Sequence, residues 1–377
     1  MKHGLTGLIL GLALASSSLA GNEGVTPTQI RIGASAVLSG ALGPQTVAYG
    51  EGSRLYFDFV NERGGVNGRK ITYTTLDDAF DVPKAVENTK KLIEEEKVFL
   101  IYNNSGTAHT AAILPLTQAS QTIVFGPITG SSMFRDKFDR YMFHVRASYA
   151  NEARRMASQL RQIGVTRVVA FYQDDVFGKT LLEETRKAAA QEDLKLAAEV
   201  KVDPKAPDFA AAAAEAAKAQ PQVVIMATGG MTFPSFVKAL RATGARPTFY
   251  GFSVSSLDGI TRELGASAQG IVLAQIMPSL KDSSIPVVGE YLKLLSAKSP
   301  GTKPSASQFE GFVHAKLLVE GLKRGGKNLT TDSFIKGMES AGEIAYGRFK
   351  ARYSPDAHNG SSYVELSIID ANGQLRY

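Results

Sequence analysis

The sequence predicts an α/β fold built on two parallel sheets, and three observations predict it. Short runs rich in β-branched residues alternate with amphipathic stretches of helical length along most of the chain. The runs Val98-Phe99-Leu100-Ile101-Tyr102 and Val223-Val224-Ile225-Met226 are apolar throughout, as in strands covered on both faces. The 377 residues carry more alternating elements than one core holds and have the length of two ordinary domains.

The elements follow in order. Ile30–Ala34 reads as a strand, and 49–62 as a helix that ends at the pair Gly64-Gly65. A strand follows at 71–76. Pro83 then opens a helix running towards Glu95, at a position where its missing N–H costs nothing. After the buried strand 98–102 come a helix near 108–120, a strand at 122–125, a helix over 151–163 and a strand at 167–172. A helix after Gly178, a strand at 196–200, an alanine-rich helix over 209–219, the strand 223–226 and a helix over 233–242 continue the alternation. Such βαβ units wind right-handed and make parallel sheets. Seams fall at His144-Val145-Arg146-Ala147-Ser148 and Ala274-Gln275-Ile276-Met277-Pro278. Beyond the second the pattern is mostly helical (287–297, 308–324, 331–340), and the tail returns to strands at 349–353 and 363–369 with a hairpin between them.

The first twenty residues read as a secretory signal. Lys2 and His3 precede the apolar run Leu5–Ala15, and Ser18-Leu19-Ala20 supplies a small-residue cleavage pattern, so export to the periplasm and cleavage after Ala20 are expected. No cysteine is present, which excludes disulfides, thiolate chemistry and cysteine metal sites. The net charge of +6 comes from charges that alternate in sign, as in Glu94-Glu95-Glu96-Lys97; that is a solvated helix face and not a nucleic-acid stripe.

Catalytic signals are poor. The histidines His3, His109, His144, His314 and His358 have no metal-ligand spacing, and nucleophile elbows and phosphate loops are lacking. Asp77-Asp78 and Asp174-Asp175 read as turn and cap residues. No cofactor is expected. The chemistry lies in three loops that follow strands: Asn103-Asn104-Ser105-Gly106-Thr107, then Gly126-Pro127-Ile128-Thr129-Gly130-Ser131-Ser132, then Ala227-Thr228-Gly229-Gly230-Met231-Thr232. Each sits at the carboxyl end of a parallel strand, where open α/β sheets bind ligands. Hydroxyls and helix N-termini there suit a carboxylate, although any one loop alone is also accounted for as a helix cap.

The chain resembles the leucine/isoleucine/valine-binding protein family, the type I periplasmic receptors of ABC transporters. The resemblance spans nearly the whole mature sequence. It is carried by Ile32-Gly33 and Leu38-Ser39-Gly40, by the segment from Asn61-Glu62-Arg63-Gly64-Gly65 to Gly68-Arg69-Lys70, and by Asp77-Asp78, Ser105-Gly106-Thr107 and Tyr172–Gly178 in the family's order. It implies two Rossmann-like lobes joined by three crossovers: residues 21–146 plus 276–345 in the first, residues 147–275 plus 346–377 in the second. It further implies a monomer that closes by hinge motion on a small carboxylate-bearing molecule and passes it to a permease. A sensor component of a signalling receptor is the alternative role.

By the same resemblance Ser105, with Gly106 and Thr107, would hold the ligand carboxylate, and Ile128, Thr129, Gly130 and Ser131 would add main-chain groups and hydroxyls. Phe177 would pack on the ligand from the second lobe, while Gln45 and Gly229 would stand near the family's aromatic contacts. The family's acidic residue for an α-ammonium falls at Ser253, inside Phe252-Ser253-Val254-Ser255-Ser256, where no carboxylate precedes Asp258. A carboxylate ligand with a neutral, partly apolar remainder is therefore expected. The rival is that Asp174 or Asp175 supplies the missing acid.

Overall fold

The computed structural model describes residues 23–40 and 43–377. The expected signal segment and its cleavage point lie outside the described residues.

The first sheet is wholly parallel. It takes β1 (Gln29–Ala36), β2 (Lys70–Asp77), β3 (Leu100–Tyr102), β4 (Ile123–Phe125) and β5 (Met142–Phe143) in the order β2-β1-β3-β4-β5. Between the strands run α1 (Gly43–Asn61), α2 (Val82–Glu94) and α3 (Thr107–Ala119). Asp81 caps α2 by accepting from the Lys84 N–H, and Pro83 stands in the first turn, where the sequence pattern predicts it.

The chain then crosses through 144–148 into a second unit. This holds α4 (Tyr149–Gln162), β6 (Val168–Gln173), α5 (Val176–Gln191), β7 (Leu196–Val202), α6 (Phe209–Lys218), β8 (Val223–Ala227), α7 (Thr232–Ala242), β9 (Thr248–Gly251), α8 (Leu257–Leu264) and β10 (Val272–Gln275). A return crossing leads to α9 (Pro286–Lys298), α10 (Ala306–Arg324) and α11 (Thr331–Glu339), which complete the first unit. On α1 and α10, Gly52 and Gly311 let the two backbones touch: a Cβ on Gly311 would stand 2.0 Å from the Tyr49 carbonyl oxygen. That contact sets Glu310, the neighbour of Gly311 on α10, beside Tyr49.

The tail differs from the expected hairpin. β11 (Glu343–Tyr346), β12 (Phe349–Ser354) and β13 (Ala357–Gly360) form a separate antiparallel ribbon, and Phe349, Ala351 and Tyr353 belong to the first lobe's core. Only β14 (Glu365–Ile369) and β15 (Leu375–Arg376) join the second sheet, whose order is β15-β14-β10-β9-β8-β6-β7. The chain thus enters the second sheet after the ribbon and not at Ala345. The reason is local: the alternating buried side of β12 faces aromatic residues of the first core, with Tyr353 against Phe143.

Two antiparallel pairings, β10 with β14 and β14 with β15, edge an otherwise parallel second sheet. Each sheet is covered on both faces. Leu92, Ile101, Ile113 and Val124 form one face of the first, while Val169, Phe171, Met226 and Phe236 belong to one face of the second. The crossovers run side by side, since His144 N–H donates to the His358 carbonyl at 2.9 Å and Ser361 N–H to the Val145 carbonyl at 3.0 Å. Helices α3 and α5, one from each lobe, meet across the cleft.

Candidate functional site

In the first lobe the loops after β3 and β4 continue the sheet's pairing. Ser105 lies opposite Ile128; Gly106 N–H donates to the Ile128 carbonyl and Ile128 N–H to that of Asn104. Gly106 takes φ +96, a conformation that favours glycine, and from there α3 starts with no side-chain cap. The hydroxyls of Thr107 and Thr129 meet at 2.9 Å. Thr129 in turn accepts from Ser131 N–H, and Ser131 accepts from Met133 N–H. Ser105 is buried, and its Oγ has no partner among the protein groups.

Gly130 joins this loop to the second lobe. Its carbonyl accepts from Tyr149 N–H at 2.7 Å, and the Tyr149 ring lies edge-on to Phe177 and Phe252. Phe177 also flanks Gly229, whose N–H donates to Gln173 Oε1 at 2.8 Å. Thr228, in the same loop, is fully buried with its hydroxyl unpaired, and Met231, which precedes α7, gives that helix no side-chain cap. Ser105, Gly106, Thr107, Ile128, Thr129, Gly130 and Ser131 therefore form one connected shelf. Phe177 and Gly229 form a second, and Tyr149 links the two. Gln45 lies in the first turn of α1.

Ser253 lies in a charged seam that the sequence reading missed. Its N–H and Oγ donate to the two oxygens of Glu152, at 2.7 and 2.9 Å. Arg146 Nη2 donates to the same Ser253 Oγ at 2.7 Å, and Arg146 Nε lies 3.5 Å from Glu310 Oε1. Arg146 comes from the first crossover, Glu152 from α4 and Glu310 from α10; all three are buried. So a carboxylate does stand at Ser253, though no residue of 252–256 carries it. Asp174 and Asp175 are engaged elsewhere: Asp174 pairs with Lys179 and Lys201, and Asp175 caps α5 at Gly178.

Burial raises Glu152 to about 7 against the opposing pull of Arg146 and of Ser253. Burial raises Glu310 as well, with Arg146 again opposing. For Arg146, desolvation would lower the pKa, but Glu310, Tyr49, Tyr149 and Glu152 outweigh it and keep the guanidinium charged. Burial pushes His314, which sits over Glu310, down to about 3, so it is neutral there. The site therefore holds the Arg146 guanidinium between two carboxylates with raised pKa values, beside a shelf of hydroxyls and helix N-termini without side-chain caps. That arrangement suits binding.

The model of the family of periplasmic binding proteins matches residues 29–374. The chain belongs to that family. Solved periplasmic binding proteins share its architecture. A substrate-binding periplasmic protein from Ralstonia solanacearum is 27% identical, with TM-score 0.84 over 92% of this chain and 99% of that one. An extracellular ligand-binding receptor from Verminephrobacter eiseniae ef01-2 is 25% identical, with TM-score 0.86 over 93% and 100%. A solute-binding protein of an ABC transporter from R. palustris, solved in complex with benzoate, has the same fold at 20% identity, TM-score 0.81, over 92% and 95%. As a periplasmic binding protein the chain has the two-lobe α/β fold of a ligand receptor. Among the described residues no helix is long and apolar enough to cross a membrane, and no group of three His, Asp or Glu is placed to hold a metal.

Proposed function

We propose that this chain is a periplasmic solute-binding protein. It captures a small carboxylate-bearing solute, an amino acid or a related organic or aromatic acid, between its lobes and delivers it to an ABC permease. One observation carries the ligand class: Ser105 Oγ, Thr228 Oγ1 and Arg146 Nη1 are buried without a protein partner, one from each lobe and one from the crossover between them. A buried polar group left unpaired costs about 1–3 kcal/mol, which an anion accepting from these donors recovers. The uncapped starts of α3 and α7 add N–H groups and the positive ends of two helix dipoles. The benzoate complex of the R. palustris protein is in keeping with a carboxylate ligand. The protein works in the periplasm as a monomer, without a cofactor, nucleic acid or catalytic step.

A thermal-shift screen over amino acids, aromatic acids and short aliphatic acids tests the reading. A carboxylate present at about 100 times its Kd adds about 2.7 kcal/mol and raises Tm visibly. If only uncharged solutes such as sugars stabilise the protein, the ligand class is wrong.

A further inference from the structure

We propose that Glu152 makes closure of the lobes proton-dependent: protonated, it allows the closed arrangement, and on ionising it drives the cleft open. The inference rests on the reading of the protein as two lobes that close over a cleft. Glu152 stands at the seam where that closure removes water, and its neighbours come from both sides. From its own helix comes Tyr149. From the second lobe come the N–H and Oγ of Ser253. The first crossover brings Arg146, the segment after β4 brings Arg135, and α10 of the first lobe brings Glu310. His314 beside Glu310 is neutral.

The balance of these groups decides the state of Glu152. Arg146 attracts it through space but gives its hydrogen bond to the Ser253 hydroxyl between them, and its ion pair is with Glu310. Arg135 gives its hydrogen bonds to the carbonyls of Asn359 and Arg146. Glu152 is thus a fully buried carboxylate whose hydrogen-bond donors both belong to Ser253, a neutral residue, and it faces a second carboxylate across the seam. An ionised group in that position is stabilised by admitting water, and separating the lobes is the motion that admits it. Its ordinary value is displaced to about 7, so the switch operates near neutral pH.

Solution scattering on the ligand-free full chain, from about pH 5.5 to about pH 8.5, reads the switch directly, with the proton as the only effector. The wild type should expand as pH rises, with a midpoint near 7. Glu152→Gln, which keeps a neutral hydrogen-bonding side chain, should stay compact at both ends. Ser253→Ala removes one donor to the ionised form and should move the midpoint to higher pH. Circular dichroism checks that both variants fold. A wild-type radius that does not change with pH overturns the proposal, as does an unaltered transition in Glu152→Gln. Neither result touches the ligand screen above, so a failure here leaves the binding reading standing, and a failed screen leaves this one standing.

Discussion

Arg146 Nη2 donates to Ser253 Oγ at 2.7 Å while Arg146 Nε faces Glu310, so one buried guanidinium ties the crossover to both lobes. Removing it leaves Glu310 buried without its cation. Arg146→Met should destabilise the protein by about 3–5 kcal/mol, read from the urea midpoint, and Arg146→Met with Glu310→Gln should recover part of the loss. Equal stability of wild type and Arg146→Met would show that the pair contributes nothing.

Ser105 separates binding from folding. Its Oγ is buried and unpaired in the protein, so Ser105→Ala should leave the ligand-free protein as stable as wild type or slightly more so. The same variant should bind the carboxylate found in the screen about 10- to 150-fold more weakly, because a charge-assisted hydrogen bond of about 1.5–3 kcal/mol is lost. Calorimetric titration gives the affinity; unchanged Kd would remove Ser105 from the site.

Gly130 has no room for a side chain. A Cβ there would come within 2.8 Å of the Tyr149 backbone nitrogen and 2.7 Å of its ring. Gly130→Ala should cost about 1–3 kcal/mol of stability through overpacking and weaken ligand binding with it. Full stability in a thermal melt would mean that the two loops separate more easily than their hydrogen bond implies.

The pH dependence of stability follows from opposed shifts. Glu152 has a folded value raised to about 7, so its contribution is complete below the unfolded value of about 4.5 and is lost as pH rises through 7. His144 and His314 are lowered by burial, so their contributions are complete above about 6.5 and are lost towards acid. Above about pH 6.5 the histidines no longer change, and stability should still fall towards pH 8.5 by about 1 kcal/mol, the larger part of the Glu152 loss having come at lower pH, so Tm falls with it. Thermal melts of Glu152→Gln should lose that part of the slope. An identical slope in the variant would assign it to another group.

Much of the fold was legible because periodicity reports it. The buried runs at 98–102 and 223–226 coincide with β3 and β8, and Pro83 in the first turn of α2 marks its start. The loops with Ser105, Thr129 and Gly229 were legible because glycine and hydroxyl residues after a strand have a local cause. The tail was misread because the alternation in Phe349–Tyr353 says that one face is buried and not which core buries it. The seam was hidden for a similar reason. Arg146 and Glu152 are near in sequence, but Ser253 and Glu310 come from distant segments, and each reads alone as an ordinary polar residue. The one signal was a lone arginine set between the apolar Val145 and Ala147, the pattern of a charge that the fold must neutralise.

The most direct test of the account is solution scattering at about pH 8 on the full chain titrated with the carboxylate that the screen returns. Two lobes that close on a solute predict a radius that falls as ligand is added and levels off at one ligand per chain, with the midpoint at the calorimetric Kd. A radius that stays constant through saturation would contradict it.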